Sequence, residues 1–389
     1  MLASAGVTAT RAMASLAAVA QMTVTADVAA NLAQAAGLVE RAKAAGAAVV
    51  FLPEAADYIG ESREQTAALA EPLAGPTVAA FREMARRHEV WLSLGGLHIR
   101  EEQEDRVSNM HVVVDSRGEV AATYCKAHLF DACVPGKFDL QESRYVAAGA
   151  ALTPPLASPI GRLGLGVCYD LRFAEHSQAL AAAGAELLTF PSAFTVTTGE
   201  AHWEVLLRAR AIETQTYVVA AAQTGQHNAK RSSYGHSVIV DPWGEVVARV
   251  GEGVGLALAP IDLGRLATVR ANMPVQRQRR PELYGRVSRY TWHLQTCLRP
   301  WRPAPCCASP SPPCSCSPAR WRSRGRPPPP SPPTTKCSCS GRRGCWGPPW
   351  SPAAPSPSPS LIKSRWWRAT CWWSPGGPWT SSSCSRRGR

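Results

Sequence analysis

A chain of 389 residues is long enough for one large domain or two ordinary ones. Its formal charge of +13 suggests a nucleic-acid or membrane-surface partner only until the charges are mapped. All 29 Asp and Glu lie at or before Glu282, while 17 of the 42 Lys and Arg follow Gly285, so the first 285 residues carry a net −4. A mildly acidic body argues against nucleic acid and membrane as its partners, and ties any basic interaction module without catalysis to the tail alone. Cysteine and tryptophan divide at the same point. Cys125, Cys133 and Cys168 precede it and the other ten of 13 Cys follow, as do ten of the 13 Trp. Three unpatterned cysteines in the body fit a reducing compartment, so the cytoplasm is expected. No apolar run reaches the roughly 18 residues that span a bilayer. The opening MLASAGVTATRAMASLA has Arg11 and no acid. It reads as an upstream extension over 1–14 with Met13 as an alternative start, or as a weak mitochondrial presequence.

In chain order, SLAAVAQMTV (15–24) predicts a strand and Asn31–Ala45 a helix with Glu40, Arg41 and Lys43 outward. Strand 47–53, helix 77–88 and strand 90–99 follow. NMHVVVD and EVAATYCK form a hairpin about Ser116-Arg117-Gly118. LGLGVCYD (163–170) is a strand that leads into a helix near Glu175–Ala183. AELLTFP is a strand, HWEVLLRARAIETQ (202–215) a helix and YVVAAAQ a strand. SVIVDPWGEVVARV (237–250) is a second hairpin, and GVGLALAPIDL (253–263) closes the series. Runs apolar at nearly every position have both faces buried. The hairpins make the sheets mixed, so residues 15–285 read as one α/β domain.

After Gly285 the periodicity ends in Pro- and Ser-rich low complexity, which predicts a disordered tail over 286–389. Cys-x-Cys at 314–316 and 337–339 lacks zinc spacing, and His293 is the tail's one histidine, so no metal is expected. The tail's Trp pairs constrain its codons. With GC-rich codons, Arg365–Ser374 (RWWRATCWWS) regroups by one base into PVVAGHVLVV, an ordinary buried strand. This resembles a segment of the fragile-histidine-triad family, which is often fused behind a nitrilase-like domain. The tail is therefore expected to be an out-of-frame reading of such a domain.

Three motifs carry chemistry. In FLPEAADY (51–58), Glu54 follows a buried strand. A carboxylate at a strand end of an α/β protein faces the ligand crevice; the alternative is a helix cap or loop acid. In YCKAHLFD (124–131), Lys126 ends a hairpin strand, either as an edge-guarding charge or as a site cation. In LGLGVCYDLRF (163–173), a glycine-flanked strand delivers Cys168 at a turn before a helix, the logic of a nucleophile elbow. The alternative is a buried structural thiol.

A strand-end Glu, then Lys, then a Cys elbow resembles the signature of the nitrilase superfamily. The resemblance extends over about residues 16–285 and includes FPSAFTVTTGEAHWEVLLRARAIETQ, SSYGHSVIVDPWG and RRPELYG. It implies a four-layer α-β-β-α sandwich and an amidase without metal or cofactor. Glu54 would be the base, Cys168 the nucleophile and Lys126 the oxyanion partner, beside the backbone N–H of Tyr169. Lys126 is also expected to favour the thiolate. Glu142 matches a second family glutamate that supports Lys126, or is a surface loop acid.

Within the superfamily, several stretches resemble Nit-type amidases of deaminated glutathione, whereas HLFDACVPGKFDLQES (128–143) is similar to the loop of ω-amidases. The implied substrate is a small dicarboxylate-like amide bearing a 2-oxo group. Arg172 is the candidate contact for its carboxylate, with a helix-start salt bridge as the alternative. Phe194 and Thr195 are candidates for the pocket wall. Arg208 and Arg210 are expected to pair with acids, and His128 and His236 to be hydrogen-bonded structural residues. The family's pairing of subunits through an outer helix layer implies a homo-oligomer, with helix 202–215 as the candidate interface.

Overall fold

The computed structural model describes residues 15–101, 105–134 and 138–284. The extension 1–14 and the tail 286–389, with its expected disorder, lie outside the described residues. The first half runs β1 (Ser15–Met22), α1 (Val28–Ala44), β2 (Ala47–Phe51), α2 (Arg63–Leu69), α3 (Pro76–His88), β3 (Trp91–Ile99), β4 (Val107–Val114) and β5 (Val120–Cys125). Then come β6 (Asp131–Val134), β7 (Phe138–Gln141), β8 (Val146–Ala147), β9 (Leu156–Ser158), β10 (Gly161–Leu165), α4 (Ala174–Ala182), β11 (Leu187–Thr189) and α5 (Val196–Thr214). The rest is β12 (Tyr217–Ala220), β13 (Ala222–Asn228), β14 (Arg231–Tyr234), β15 (Val238–Val240), β16 (Val246–Arg249), β17 (Gly255–Ile261) and α6 (Leu263–Asn272), with short α7 (Val275–Gln278) and α8 (Pro281–Tyr284).

Among the described residues these strands form a nine-stranded and a six-stranded mixed sheet, and β6 and β7 pair apart from both. The first is ordered β14-β13-β1-β2-β3-β4-β5, with β17 on β1 and β8 on β4; the second is ordered β16-β15-β12-β11-β10-β9. Side chains alternate across a strand, and β1 shows the result. Ala18, Ala20 and Met22 pack with Leu38 and Val39 of α1 and Phe81 of α3. Ala17 and Val19 pack toward the second sheet, in the cluster that also holds Leu180 of α4 and Trp203 and Leu207 of α5. The layers are therefore helices, sheet, sheet, helices, the four-layer sandwich.

Local chemistry sets the helix ends. Asp27 caps α1 by accepting from the Ala30 N–H, which starts the helix three residues before the expected Asn31; Glu40, Arg41 and Lys43 are exposed as expected. Thr195 caps α5 in the same way, so that helix begins at Val196 and not at His202. Its first turn, Val-Thr-Thr-Gly, is weak helix sequence, which is why periodicity alone misses it. The larger correction concerns YVVAAAQ. It is two strands: β12 belongs to the six-stranded sheet, and after Ala221 the chain enters the nine-stranded one as β13. Both halves are buried and apolar, so nothing in the residue pattern marks the change. Ser237 stitches the junction, its Oγ accepting from Ala222 N–H (2.8 Å) and donating to the Ala20 carbonyl (2.9 Å).

Candidate active site

Strand ends converge between the two sheets. β2 delivers Glu54, β5 delivers Lys126, and β10 leads through Gly166 and Val167 to Cys168. A short 3-10 turn, Glu142–Arg144, follows β7 and presents Glu142. The close approach of β2 to β3 depends on two glycines. Gly95 has φ +67, and a Cβ on it would lie 2.2 Å from the Pro53 carbonyl oxygen. Gly96 accepts the Ala55 N–H at 2.7 Å, and a Cβ there would lie 1.9 Å from Oδ1 of Asn109.

The buried Lys126 Nζ donates to Glu54 Oε1 at 3.0 Å and to Glu142 Oε1 and Oε2 at 3.0 and 2.9 Å. Burial would lower its pKa, but the charges of Glu142 and Glu54 outweigh burial and hold the ammonium well above the usual lysine range. Glu142 is buried as well, and its Oε2 accepts the Phe130 N–H at 2.7 Å. It is therefore no surface loop acid. Lys126 likewise is no edge guard, being 2 % exposed.

Glu54 Oε2 accepts the Ala193 N–H at 2.9 Å, and Gln223 Nε2 holds the Glu54 carbonyl at 2.9 Å. Burial pushes the Glu54 carboxyl up, but the Lys126 charge and hydrogen bonds from Cys168, Lys126 and Asn109 bring it below its ordinary value. Cys168 opens the 3-10 turn Cys168–Arg172 in a left-handed conformation, φ +45, and its N–H is tied to the Pro191 carbonyl at 2.9 Å. Such a conformation is sparsely populated for a residue with a side chain and suits a sharp elbow. The Tyr169 N–H is the next donor along that turn. Burial first and the Glu54 charge second push the Cys168 thiol well above its usual value, while Lys126 and the Ala193 N–H pull it down by less. Lys126 thus favours the thiolate, as expected, but burial and the Glu54 charge outweigh it.

Of the outer candidates, Arg172 lies over the rings of Phe194 (5.1 Å) and Tyr169 (5.7 Å) and donates to His202 Nδ1 at 3.2 Å. Among the described residues it forms no ion pair, so the helix-start salt bridge is absent. Phe194 is buried edge-on to Trp203, and the Thr195 hydroxyl is engaged with Thr198 at the α5 cap. Arg208 and Arg210 pair with Glu204 and Glu213 as expected. His128 bonds Asp170 at 2.7 Å, and His236 bonds the Tyr234 carbonyl at 3.0 Å.

Sequence reasoning missed Asn109, whose Nδ2 reaches Glu54 Oε1 (2.9 Å) and Glu142 Oε1 (3.2 Å). It also missed Asp170, fully buried behind the nucleophile. Asp170 accepts from Tyr124 OH (2.9 Å), Val167 N–H (2.9 Å) and His128 N–H (3.1 Å), which joins the Lys126 strand to the Cys168 turn. The hairpin register held a signal for Asn109. With Met110 paired to Cys125, Asn109 falls opposite Lys126, whose N–H it accepts at 2.9 Å. Among the described residues, no group of His, Cys, Asp or Glu is arranged to hold a metal ion and no helix is long and apolar enough to cross a membrane.

An α-β-β-α sandwich with an acid, a lysine and a cysteine buried together at its strand ends is the architecture of a nitrilase-type hydrolase. The chain belongs to the carbon-nitrogen hydrolase family, whose model matches residues 16–271. It is 53 % identical over 275 residues to human (Homo sapiens) deaminated glutathione amidase, covering 70 % of this chain and 84 % of that one. The crystal structure of the Caenorhabditis elegans NitFhit protein is similar at 49 % identity and TM-score 0.67, covering 70 % of this chain and 66 % of that one. A mutant amidase from Nesterenkonia, its active-site cysteine carrying the acetamide moiety of fluoroacetamide, is similar at 26 % identity and TM-score 0.59, over 70 % of this chain and 97 % of that one. The chain is accordingly an amidase, a hydrolase of carbon–nitrogen bonds other than peptide bonds.

Proposed function

We propose that Cys168 is the amidase nucleophile, with Glu54 as proton carrier, Lys126 as oxyanion partner and Glu142 as its support. The observation that carries this is the convergence of Glu54 and Glu142 on one buried Lys126 Nζ, with Cys168 and Glu54 both tied to the Pro191–Ala193 segment, Cys168 through its N–H and Glu54 through Oε2. Glu54 takes the thiol proton as sulfur attacks the amide carbon. The carbonyl π pair becomes an oxyanion, stabilised by Lys126 Nζ and the Tyr169 N–H. Collapse breaks the C–N bond, and Glu54 returns its proton to the departing ammonia. Glu54 then draws a proton from water as that water attacks the thioester. A second collapse frees the carboxylic acid, which ionises by giving its proton to solvent, and the sulfur regains its proton from Glu54. The cysteine adduct of the Nesterenkonia amidase supports the reading by likeness.

Deaminated glutathione is the substrate this reading favours, as in the name of the human relative. Arg172, without a carboxylate partner among the described residues, would meet the substrate's carboxylate beside a wall of Phe194 and Thr195. One observation favours the ω-amidase alternative on 2-oxoglutaramate or 2-oxosuccinamate. The β6–β7 hairpin, within the loop similar to that of ω-amidases, runs directly into Glu142, and Phe130 before it packs edge-on against Tyr169 at 4.9 Å.

The hydrolase unit is proposed to be residues 15–285, with 1–14 an extension and 286–389 the out-of-frame tail. A homo-oligomer formed through α5, where Val205 and Ile212 are 70 % and 51 % exposed, completes the reading, in the cytoplasm and also the mitochondrion if 1–14 acts as a presequence. The test is ammonia release from deaminated glutathione and 2-oxoglutaramate by the full chain, Cys168→Ala and a 286–389 deletion. Cys168→Ala is expected to lose at least ~10³-fold and the deletion to remain active. Equal rates for wild type and Cys168→Ala would remove Cys168 from the reaction.

A further inference from the structure

Glu54 and Glu142 are two carboxylates in one buried site, and like charges so close oppose each other's ionisation. A single ammonium, Lys126, compensates one of them. The second shared donor is neutral. Asn109 is 6 % exposed, and the two bonds of its Nδ2 end on Glu54 Oε1 and Glu142 Oε1, the two oxygens that also face Lys126 Nζ. The other end of the amide has no partner: Oδ1 is buried and unbonded, and Gly96 leaves the space it occupies. A side chain that leaves a buried acceptor unsatisfied to aim both N–H groups at carboxylates is held there as a donor.

The two oxygens of Glu54 therefore have different surroundings. Oε1 is fixed by Lys126 and Asn109. Oε2 accepts the Ala193 N–H and is free of Lys126 and Asn109, and the Ala193 segment also holds the Cys168 N–H through the Pro191 carbonyl, so Oε2 is the oxygen left for the thiol.

We propose that Asn109 is a positioning residue: its amide clamps Glu54 Oε1 and Glu142 Oε1 together on Lys126, and leaves Glu54 Oε2 as the oxygen that exchanges protons with Cys168. The inference rests on the assignment of Glu54 and Cys168 given above. A clamp on Oε1 lets the carboxyl accept and return each proton at one fixed oxygen without rotating. It also favours the ionised form of Glu54, because an N–H donor bonds a carboxylate oxygen more strongly than a protonated one.

The experiment is the pH dependence of Cys168 alkylation by iodoacetamide in the full chain, read on the Cys168 peptide by mass spectrometry, with kcat/KM profiles beside it. Glu54→Gln is the control. If it leaves the wild-type acid limb in place, the assignment of Glu54 fails, and the clamp is not what was refuted. Given a Glu54-dependent limb, Asn109→Ala is expected to move it upward by about one pH unit. It should also lower kcat at least tenfold while KM changes less than threefold. Asn109→Ser, which can keep one donor, should lie between Asn109→Ala and wild type, and serves if the alanine variant does not fold. A folded variant with its acid limb at the wild-type position, or a loss confined to thermal stability, overturns the proposal.

Discussion

The two faces of the nine-stranded sheet obey different rules although they share the same strands. Toward α1 and α3, the contacts are apolar: Leu92, Leu94, Met110 and Val112 meet Leu38, Val39, Phe81 and Ala85. Toward the second sheet, the alternate residues of the same strands include Ser93, Asn109 and His111, all buried and hydrogen-bonded. Period two puts packing alone on one side of β3 and β4, and chemistry among packing residues such as Val113 on the other. A buried polar group costs little only while its partners are present, so the chemical face should fail abruptly when one partner goes, and the apolar face by degrees.

The sharpest way to break this comparison is one deletion on each face. Lys126→Met leaves two buried carboxylates without their cation. It is expected to abolish measurable ammonia release and to cost ~3–5 kcal/mol in denaturant unfolding. Phe81→Ala on the apolar face should cost a similar ~3–5 kcal/mol as a cavity, yet the folded fraction should keep its kcat. A Lys126→Met protein as stable as wild type would contradict the buried geometry.

Acid should separate the faces next. Burial lowers His111 from 6.5 to about 4, so it is neutral when folded. Between those values the unfolded chain binds the extra proton, and stability rises with pH. The native state should therefore lose ~3 kcal/mol through His111 alone as pH falls across that window, and His111→Gln should flatten the loss. Glu54 and Asp170, both held below their ordinary values, stay ionised there and keep their contribution until pH falls further.

The smallest effect is expected at the rim. Arg172→Ala should raise KM about tenfold for amides that carry a free carboxylate, with kcat nearly unchanged. Equal KM changes for a carboxylate-bearing amide and its neutral analogue would take Arg172 out of substrate recognition.

Strand-end residues are legible in the sequence because each ends an apolar run that must be buried, and the end of a buried strand opens on the crevice. Glu54, Lys126 and Cys168 can be placed at strand ends for that reason, but each keeps a structural alternative until their order together shows the resemblance. Asn109 and His111 are equally available in NMHVVV, where polar residues alternate with Met110 and Val112, but the hairpin pattern of that stretch draws attention away from its two faces. The Ala193 N–H is not legible, because a backbone donor carries no side-chain signature. The β6–β7 hairpin escapes for a different reason: ACVPGKFDL lacks a two-residue alternation long enough to register. YVVAAAQ conceals its change of sheet because both layers accept the same small apolar side chains.

That change of sheet at Ala221 has a consequence for how the enzyme breathes. One uninterrupted run of chain is woven into both halves of the sandwich, and Ser237 knots it to β1. The halves cannot part like a book without pulling β12 from the centre of one sheet or β13 from beside β1 in the other. Amide protons of the buried stretch Tyr217–Thr224 should therefore exchange with solvent far more slowly than those of the exposed Gly225 and Gln226.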